Sequence, residues 1–89
     1  FGISILRQEQ AALSTHYAQR GGHAALEEHF VEGPFGEPQL IGAHVHFSCA
    51  THAVHPGGDH QIILGEVRDM TMQDASPLIF YGGGYRALS

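Results

Sequence analysis

The sequence has no lysine, one cysteine and no long apolar run, and each absence narrows the possible functions. Without lysine, neither Schiff-base chemistry nor a phosphate-loop lysine is available. A single cysteine, Cys49, excludes an intrachain disulfide framework and fits a reducing compartment, so we expect a cytoplasmic location. No apolar run approaches the ~18 residues of a membrane span, and no basic start or small-residue cleavage site indicates a signal peptide.

Basic residues are also scarce, because four Arg stand against nine Asp and Glu. The formal charge of −5 argues against a nucleic-acid surface and against an anionic-membrane anchor. Histidine is abundant instead, and protonating all eight would move the formal charge from −5 to +3. Surface attraction should therefore depend on pH near neutrality.

The length of 89 residues allows one small domain at most. A chain of this size buries only about two-thirds of its unfolded surface, so its core is small. The first residue is Phe1, and Phe1–Leu6 already alternates like a strand, so we expect an interrupted chain.

Apolar periodicity predicts mainly antiparallel β-structure with one helix at Arg7–Arg20. The other predicted segments are a short helical piece at Ala24–Phe30, a loop at 33–38, strands at 40–53, 60–70, 78–81 and 85–88, a turn at 55–59 and a polar loop at 71–76. The strand at 60–70 is apolar on both faces, and so few strands leave edges unpaired. We therefore expect a partner, either upstream sequence of the same chain or a second copy.

The strand that starts at Leu40 has one apolar and one polar face. Its apolar set is Ile41, Ala43, Val45, Phe47, Cys49 and Ala53, and its polar set is His44, His46, Ser48 and His52. We expect the apolar set to line the interior and the polar set to face solvent or an interface. The alternative is a transition-metal site, because residues i and i+2 on a strand project to the same side.

Two glycine-containing motifs have a functional and a plain interpretation. Gly82–Ala87 fits a dinucleotide-binding fingerprint, but that motif must open a helix, so we interpret the glycines as a turn. Asp59 and His60 end a Gly-Gly turn, where a strand edge can present a carboxylate and an imidazole to a ligand. An Asx-type turn with an exposed histidine is the plain alternative.

Three stretches, in order, resemble the second half of the flavin reductase domain family. They are Phe1–Leu6 with Gln10, Leu13-Ser14 and Tyr17-Ala18; Gly58–Ile62 with Gly65–Val67; and Pro77–Tyr81 with Gly84–Arg86 and Leu88. The central strand from Gly42 to Cys49 is similar as well, although His44 and His46 stand where the family more often has apolar or aromatic residues. The resemblance covers essentially the whole chain.

The resemblance implies that residues 1–89 are the C-terminal half of a single split β-barrel domain that binds FMN or FAD. It implies a homodimer in which hydride passes from NADH or NADPH to the flavin, with reduced flavin supplied to a partner monooxygenase. Gly58, Asp59 and His60 would lie beside the nicotinamide and flavin, with Asp59 and His60 in the catalytic roles. Tyr85 and Arg86 would lie near the cofactor edge. The flavin carries the redox chemistry and the protein orients it.

Two other functions remain open at this stage. One is a split-barrel protein that keeps FMN for electron transfer or storage without fast nicotinamide turnover. The other is a His-rich metal-binding β domain. No partner nucleic acid or membrane is expected for any of the three.

Overall fold

A computed structural model describes residues 1–19 and 27–86. In these ranges the regular elements are β1 (Gly2–Ile5), α1 (Ala11–Ala18), β2 (Phe30–Glu32), β3 (Pro38–Leu40), β4 (Val45–Gly57), β5 (His60–Met72), β6 (Ile79–Tyr81) and β7 (Gly84–Arg86). Every strand pair is antiparallel. The predicted fold class, mainly β with one helix, is confirmed.

The central sheet has the strand order β1-β4-β5, and two small hairpins, β2-β3 and β6-β7, attach around it. Strands β4 and β5 are 13 residues each and form one long hairpin. Its last pair is Gly57 with His60, so the turn consists of Gly58 and Asp59. Gly58 has φ 74°, a conformation that costs glycine little and suits a two-residue hairpin turn.

The strand that we predicted to start at Leu40 starts later in the structure, and its pairing is irregular. Leu40 ends β3, Gly42 turns the chain with φ 75°, and β4 begins only at Val45. The pairing with β5 shifts register between Ser48 and Cys49 and again between Thr51 and Ala53. Each irregularity interrupts the strict alternation of faces that the sequence suggested.

The expected apolar interior is confirmed only at its centre. Ala43 and Val45 are each 7% exposed, Phe47 and Cys49 are half-buried, and Ile41 is 48% exposed. Ile41 was therefore wrongly assigned to the interior. It lies in the turn between β3 and β4, where the alternation of the strand has not yet begun.

The expected solvent-facing position of the polar set is wrong for His46 and Ser48. These side chains are the most enclosed of the strand, with exposures of 2% and 1%. The segment that leads into β3 lies over them and supplies the carboxylate of Glu37 as a hydrogen-bond partner. His52, the unpaired residue at the second register shift, is exposed as expected.

The helical region is shorter than predicted. A 3-10 turn at Gln8–Gln10 precedes α1, and Gln10 Oε1 accepts a hydrogen bond from the Arg7 amide at 2.8 Å. The described part of the second predicted helical piece contains a 3-10 turn at Glu27–His29, and Phe30 pairs with Leu40 in a strand. The element ends that we predicted at Arg20, Ala24 and Leu88 lie outside the described residues.

The Gly82–Gly84 triplet forms the turn of the β6-β7 hairpin, so the turn interpretation holds and the dinucleotide-fingerprint reading does not.

Aromatic contacts attach α1 to β2, with Tyr17 and Phe30 ring centroids 5.9 Å apart. Within the described ranges, no helix has the length and apolarity needed to cross a membrane.

Candidate functional site

The tip of the β4-β5 hairpin carries the three residues predicted to meet the nicotinamide and flavin. Asp59 Oδ1 and His60 Nδ1 are 3.0 Å apart, and their side chains are fully exposed and 69% exposed, respectively. The imidazole also lies across Gly57, where an added Cβ would come within 2.9 Å of its ring. The hairpin thus presents an imidazole whose orientation is set by a carboxylate on one side and a glycine on the other.

The β6-β7 hairpin carries the two residues predicted at the cofactor edge. The Tyr85 hydroxyl donates to Ser14 Oγ in α1 at 2.8 Å, and its ring contacts Phe80 with centroids 5.4 Å apart. The neighbouring hydroxyls of Ser14 and Thr15 lower the pKa of Tyr85 below its ordinary value. Arg86 is exposed, and its hydrogen bond to the described residues runs to the Tyr85 carbonyl at 3.3 Å, so other donors of the guanidinium can meet an anionic ligand.

The predicted site residues therefore form two separate pairs. Asp59 contacts His60, and Tyr85 contacts Arg86, but no polar or ring contact between described side chains joins one pair to the other. Their assignment to one cofactor site stays a prediction. What the structure adds is the anchoring of each pair, through Gly57 at the hairpin tip and through Ser14 in α1.

A buried polar cluster formed by Ser4, Glu37, His46 and Ser48 was not predicted. Glu37 Oε2 accepts a hydrogen bond from Ser48 Oγ at 2.6 Å and lies 2.7 Å from His46 Nε2. The Phe35 amide donates to the other carboxylate oxygen at 2.9 Å. These donors, above all His46 and then Ser48, lower the pKa of Glu37 to about 2, despite an opposing effect of burial.

A weak sequence signal for this cluster existed. Gly2 pairs with Ser48 and Ser4 with His46, so small and polar residues face one another across β1 and β4. Such cross-strand polar pairs need a further partner when they are buried. That partner, Glu37, lies in the loop between β2 and β3, in a segment without periodicity, so no pattern indicated it.

Two apolar hollows of ligand size lie among the described residues. An apolar groove of about 720 Å³ lies between α1, β1 and the β2-β3 hairpin. It is lined by Phe1, Gly2, Ser4, Leu6, Leu13, Ser14, Tyr17, Ala18, Phe30, Pro38 and Leu40. A second hollow of about 510 Å³ lies on the apolar face of the central sheet, between Phe1, Phe47 and Ile63.

The histidines considered as metal ligands do not converge. His44 Nδ1 lies 2.9 Å from the Gln73 carbonyl oxygen, and both ring nitrogens of His46 are engaged by Ser4 and Glu37. Over residues 1–19 and 27–86, no group of three or more His, Cys, Asp or Glu side chains is arranged to hold a metal ion.

Comparison with known proteins identifies the class of protein to which this chain belongs. The chain belongs to the flavin reductase like domain family, whose model matches residues 1–89. The resemblance seen in the sequence is confirmed.

Particular relatives are reductases. The chain is 41% identical to an NADH-dependent flavin reductase from a Rhodococcus species over 88 residues, which are 99% of this chain and 49% of that protein. It is 38% identical to the reductase component of 4-hydroxyphenylacetate 3-monooxygenase from Thermus thermophilus, covering 99% of this chain and 54% of that protein. The chain spans about half the length of these relatives.

Solved structures show the same fold. The flavin reductase component of a bacterial two-component tryptophan halogenase superposes with a TM-score of 0.88 at 28% identity, over 99% of this chain and 59% of that one. The NADH:FAD oxidoreductase SgcE6 of Streptomyces globisporus, in complex with NAD and FAD fragments, gives 0.85 at 32% identity, over 99% and 55%. The split-barrel architecture expected from the sequence is thereby confirmed, with this chain matching about half of it.

Proposed function

We propose that residues 1–89 are the C-terminal half of one flavin reductase domain, and that the complete protein reduces FMN or FAD with NADH or NADPH. The observation that carries this proposal is the match of 99% of the chain, at 41% identity, to an NADH-dependent flavin reductase of about twice the length. Reduced flavin would then pass to a partner monooxygenase, as the name of the Thermus relative indicates for that protein.

The exposed surfaces of the sheet support the assignment to half of a domain. Every residue of β5 is exposed, including the apolar Ile62, Ile63, Leu64 and Val67. The hollow beside Phe1 and Phe47 opens on the same sheet. Burying such a surface is worth ~25 cal/mol per Å² of apolar area, so the missing half of the barrel or a second copy is expected to cover it.

The chain's own residues would position the reactants. The flavin, when bound, accepts the hydride and carries the redox chemistry. His60, held by Asp59 and by the flat surface of Gly57, would orient the nicotinamide or hydrogen-bond the flavin. The other donors of Arg86 suit a phosphate of the cofactor, and Gly58 allows close approach of a ligand to the turn.

We further propose a symmetric homodimer and a cytoplasmic location. The exposed apolar faces of β5 support a second copy, and the dependence of the Rhodococcus relative on NADH supports a compartment that holds this nucleotide. Sedimentation of the complete protein tests the dimer, and a monomer at micromolar concentration would contradict it.

The activity is tested on the purified complete protein after dialysis. We expect slow or no NADH oxidation without flavin and rapid oxidation when FMN or FAD is added. A yellow protein that retains its FMN through dialysis and does not oxidise NADH would contradict the reductase function and support FMN storage or electron transfer. Use of NADPH in place of NADH in the same assay fixes the donor.

A further inference from the structure

Three side chains of the buried cluster form a continuous line of hydrogen bonds. Ser4 Oγ lies 2.9 Å from His46 Nδ1, and His46 Nε2 lies 2.7 Å from Glu37 Oε2. This is a hydroxyl, an imidazole and a carboxylate joined in that order, each pair within hydrogen-bond distance. The same order of groups activates the serine of many acyl-transfer enzymes, and it is recognised by geometry rather than by sequence position.

Neighbouring groups favour one direction for these hydrogen bonds. The Leu40 amide donates to Ser4 Oγ at 3.3 Å, which leaves the serine proton able to be donated to His46 Nδ1. Ser48 donates to the Glu37 carboxylate at 2.6 Å, and an ionised carboxylate can also accept from His46 Nε2. A neutral imidazole with its proton on Nε2 has its unprotonated nitrogen toward the serine, which is the tautomer that a general base requires.

Packing holds the imidazole in this orientation. His46 is 2% exposed, and its ring lies against Gly2, where an added Cβ would be 2.7 Å from Cε1. The lowered pKa of Glu37, about 2, keeps the carboxylate ionised at neutral pH, so it can stabilise an imidazolium that forms when the serine loses its proton.

Ser4 also lines the apolar groove between α1 and the β2-β3 hairpin. The groove has a volume of about 720 Å³, and Leu6, Leu13 and Phe30 contribute to its wall. A small ester with an apolar acyl group would bury its apolar part there.

We propose that Ser4, His46 and Glu37 form a nucleophile, base and carboxylate that hydrolyse small apolar esters bound in this groove. This activity is separate from flavin reduction, because it needs neither flavin nor nicotinamide nucleotide.

The reaction balances with water as the only co-reactant. Ser4 Oγ bonds to the acyl carbon while its proton passes to His46 Nδ1. The bond from the acyl carbon to the alcohol oxygen breaks, and the proton moves from Nδ1 to that oxygen. Water then gives a proton to Nδ1 and attacks the acyl-serine, and the proton returns to Ser4 as the carboxylic acid leaves.

Activated esters are the appropriate probe. The Leu40 amide donates to Ser4 Oγ itself and so does not act as an oxyanion donor, and loss of such a donor typically costs ~10²–10³ in rate. Slow turnover of p-nitrophenyl butyrate by the complete protein is therefore expected, without flavin or NADH in the assay. Because a base contributes ~10²–10⁴, Ser4→Ala, His46→Gln and Glu37→Gln should each lower the rate at least tenfold, toward that of the ester in buffer.

Labelling of the unmodified protein makes the test independent of whether a variant folds. A fluorophosphonate should modify Ser4, identified by mass spectrometry of the tryptic peptide that contains Ser4 and ends at Arg7, and labelling should be slowed while p-nitrophenyl butyrate is present in excess. Ser76→Ala, which removes an exposed hydroxyl outside the groove, should keep the hydrolysis rate. Absence of label on Ser4, or hydrolysis that persists in folded Ser4→Ala, would overturn the proposal and leave the reductase assay unaffected.

Discussion

Two valines on the same strand allow the buried part of β4 to be tested with one kind of substitution. Val45 is 7% exposed and pairs with Ile5 and Met72, whereas Val54 is 49% exposed. Changing valine to alanine removes carbon equivalent to two methylene groups, at ~0.8 kcal/mol each when buried. Val45→Ala should therefore lower the unfolding free energy by ~1.6 kcal/mol for the lost burial, plus a further cost for the cavity that is left. Val54→Ala should lose about half of the burial contribution.

Urea denaturation of the complete protein measures both costs, with equal m-values as the check that only stability has changed. Val45→Asp is the severe form of the same test, because an unpaired carboxylate at this position should prevent folding. A Val45→Ala protein with the same midpoint as wild type, or one less destabilised than Val54→Ala, would refute the assignment of Val45 to the interior.

Three further predictions concern the buried cluster and the β6-β7 hairpin. Glu37 ionises with a pKa of about 2 instead of 4.5, so its contribution to stability is complete above pH 4.5 and is lost as the pH falls from 4.5 to about 2. Glu37→Gln should therefore flatten the dependence of unfolding free energy on pH over that range. An unchanged dependence would contradict the interaction between Glu37 and His46. Gly33→Ala should lower the melting temperature, because the new Cβ overlaps the Glu37 carboxylate, and an unchanged melting temperature would show that this carboxylate can move. Tyr85→Phe should remove the tyrosine absorbance change that occurs below the ordinary range in an alkaline titration. Loss of absorbance change only within the ordinary range would mean that Ser14 and Thr15 do not act on that hydroxyl.

The sequence was most informative where a side chain's neighbours lie close along the chain. The Gly58-Asp59 turn, the β4-β5 hairpin and the Gly82-Gly83 turn follow from local rules, because positive φ and a two-residue loop favour glycine. The short sequence motifs that indicated the family are of the same local kind, and they were sufficient to predict its fold.

The buried face of β4 was not predictable in the same way. Alternation separates His46 and Ser48 from Val45, but it does not say which face a distant loop will cover. Burial of the polar face depends on Glu37, which approaches from the segment before β3 and satisfies both side chains. The apolar residues of β5 remain exposed among the described residues, and this chain spans about half the length of the relatives it matches.

The most direct test of the central claim is anaerobic stopped-flow reduction of flavin by NADH on the complete protein, with wild type and His60→Ala compared. A positioning role typically contributes about tenfold to a few hundredfold in rate, so His60→Ala should slow flavin reduction by that factor. The melting temperature should stay unchanged, because among the described residues the exposed His60 side chain contacts Asp59 and the surface at Gly57. Nicotinamide deuterated at the transferred position should slow reduction in both proteins, which identifies hydride transfer as the observed step. Equal reduction rates in wild type and His60→Ala, with that isotope effect present, would contradict the assignment of the hairpin tip to the hydride-transfer site.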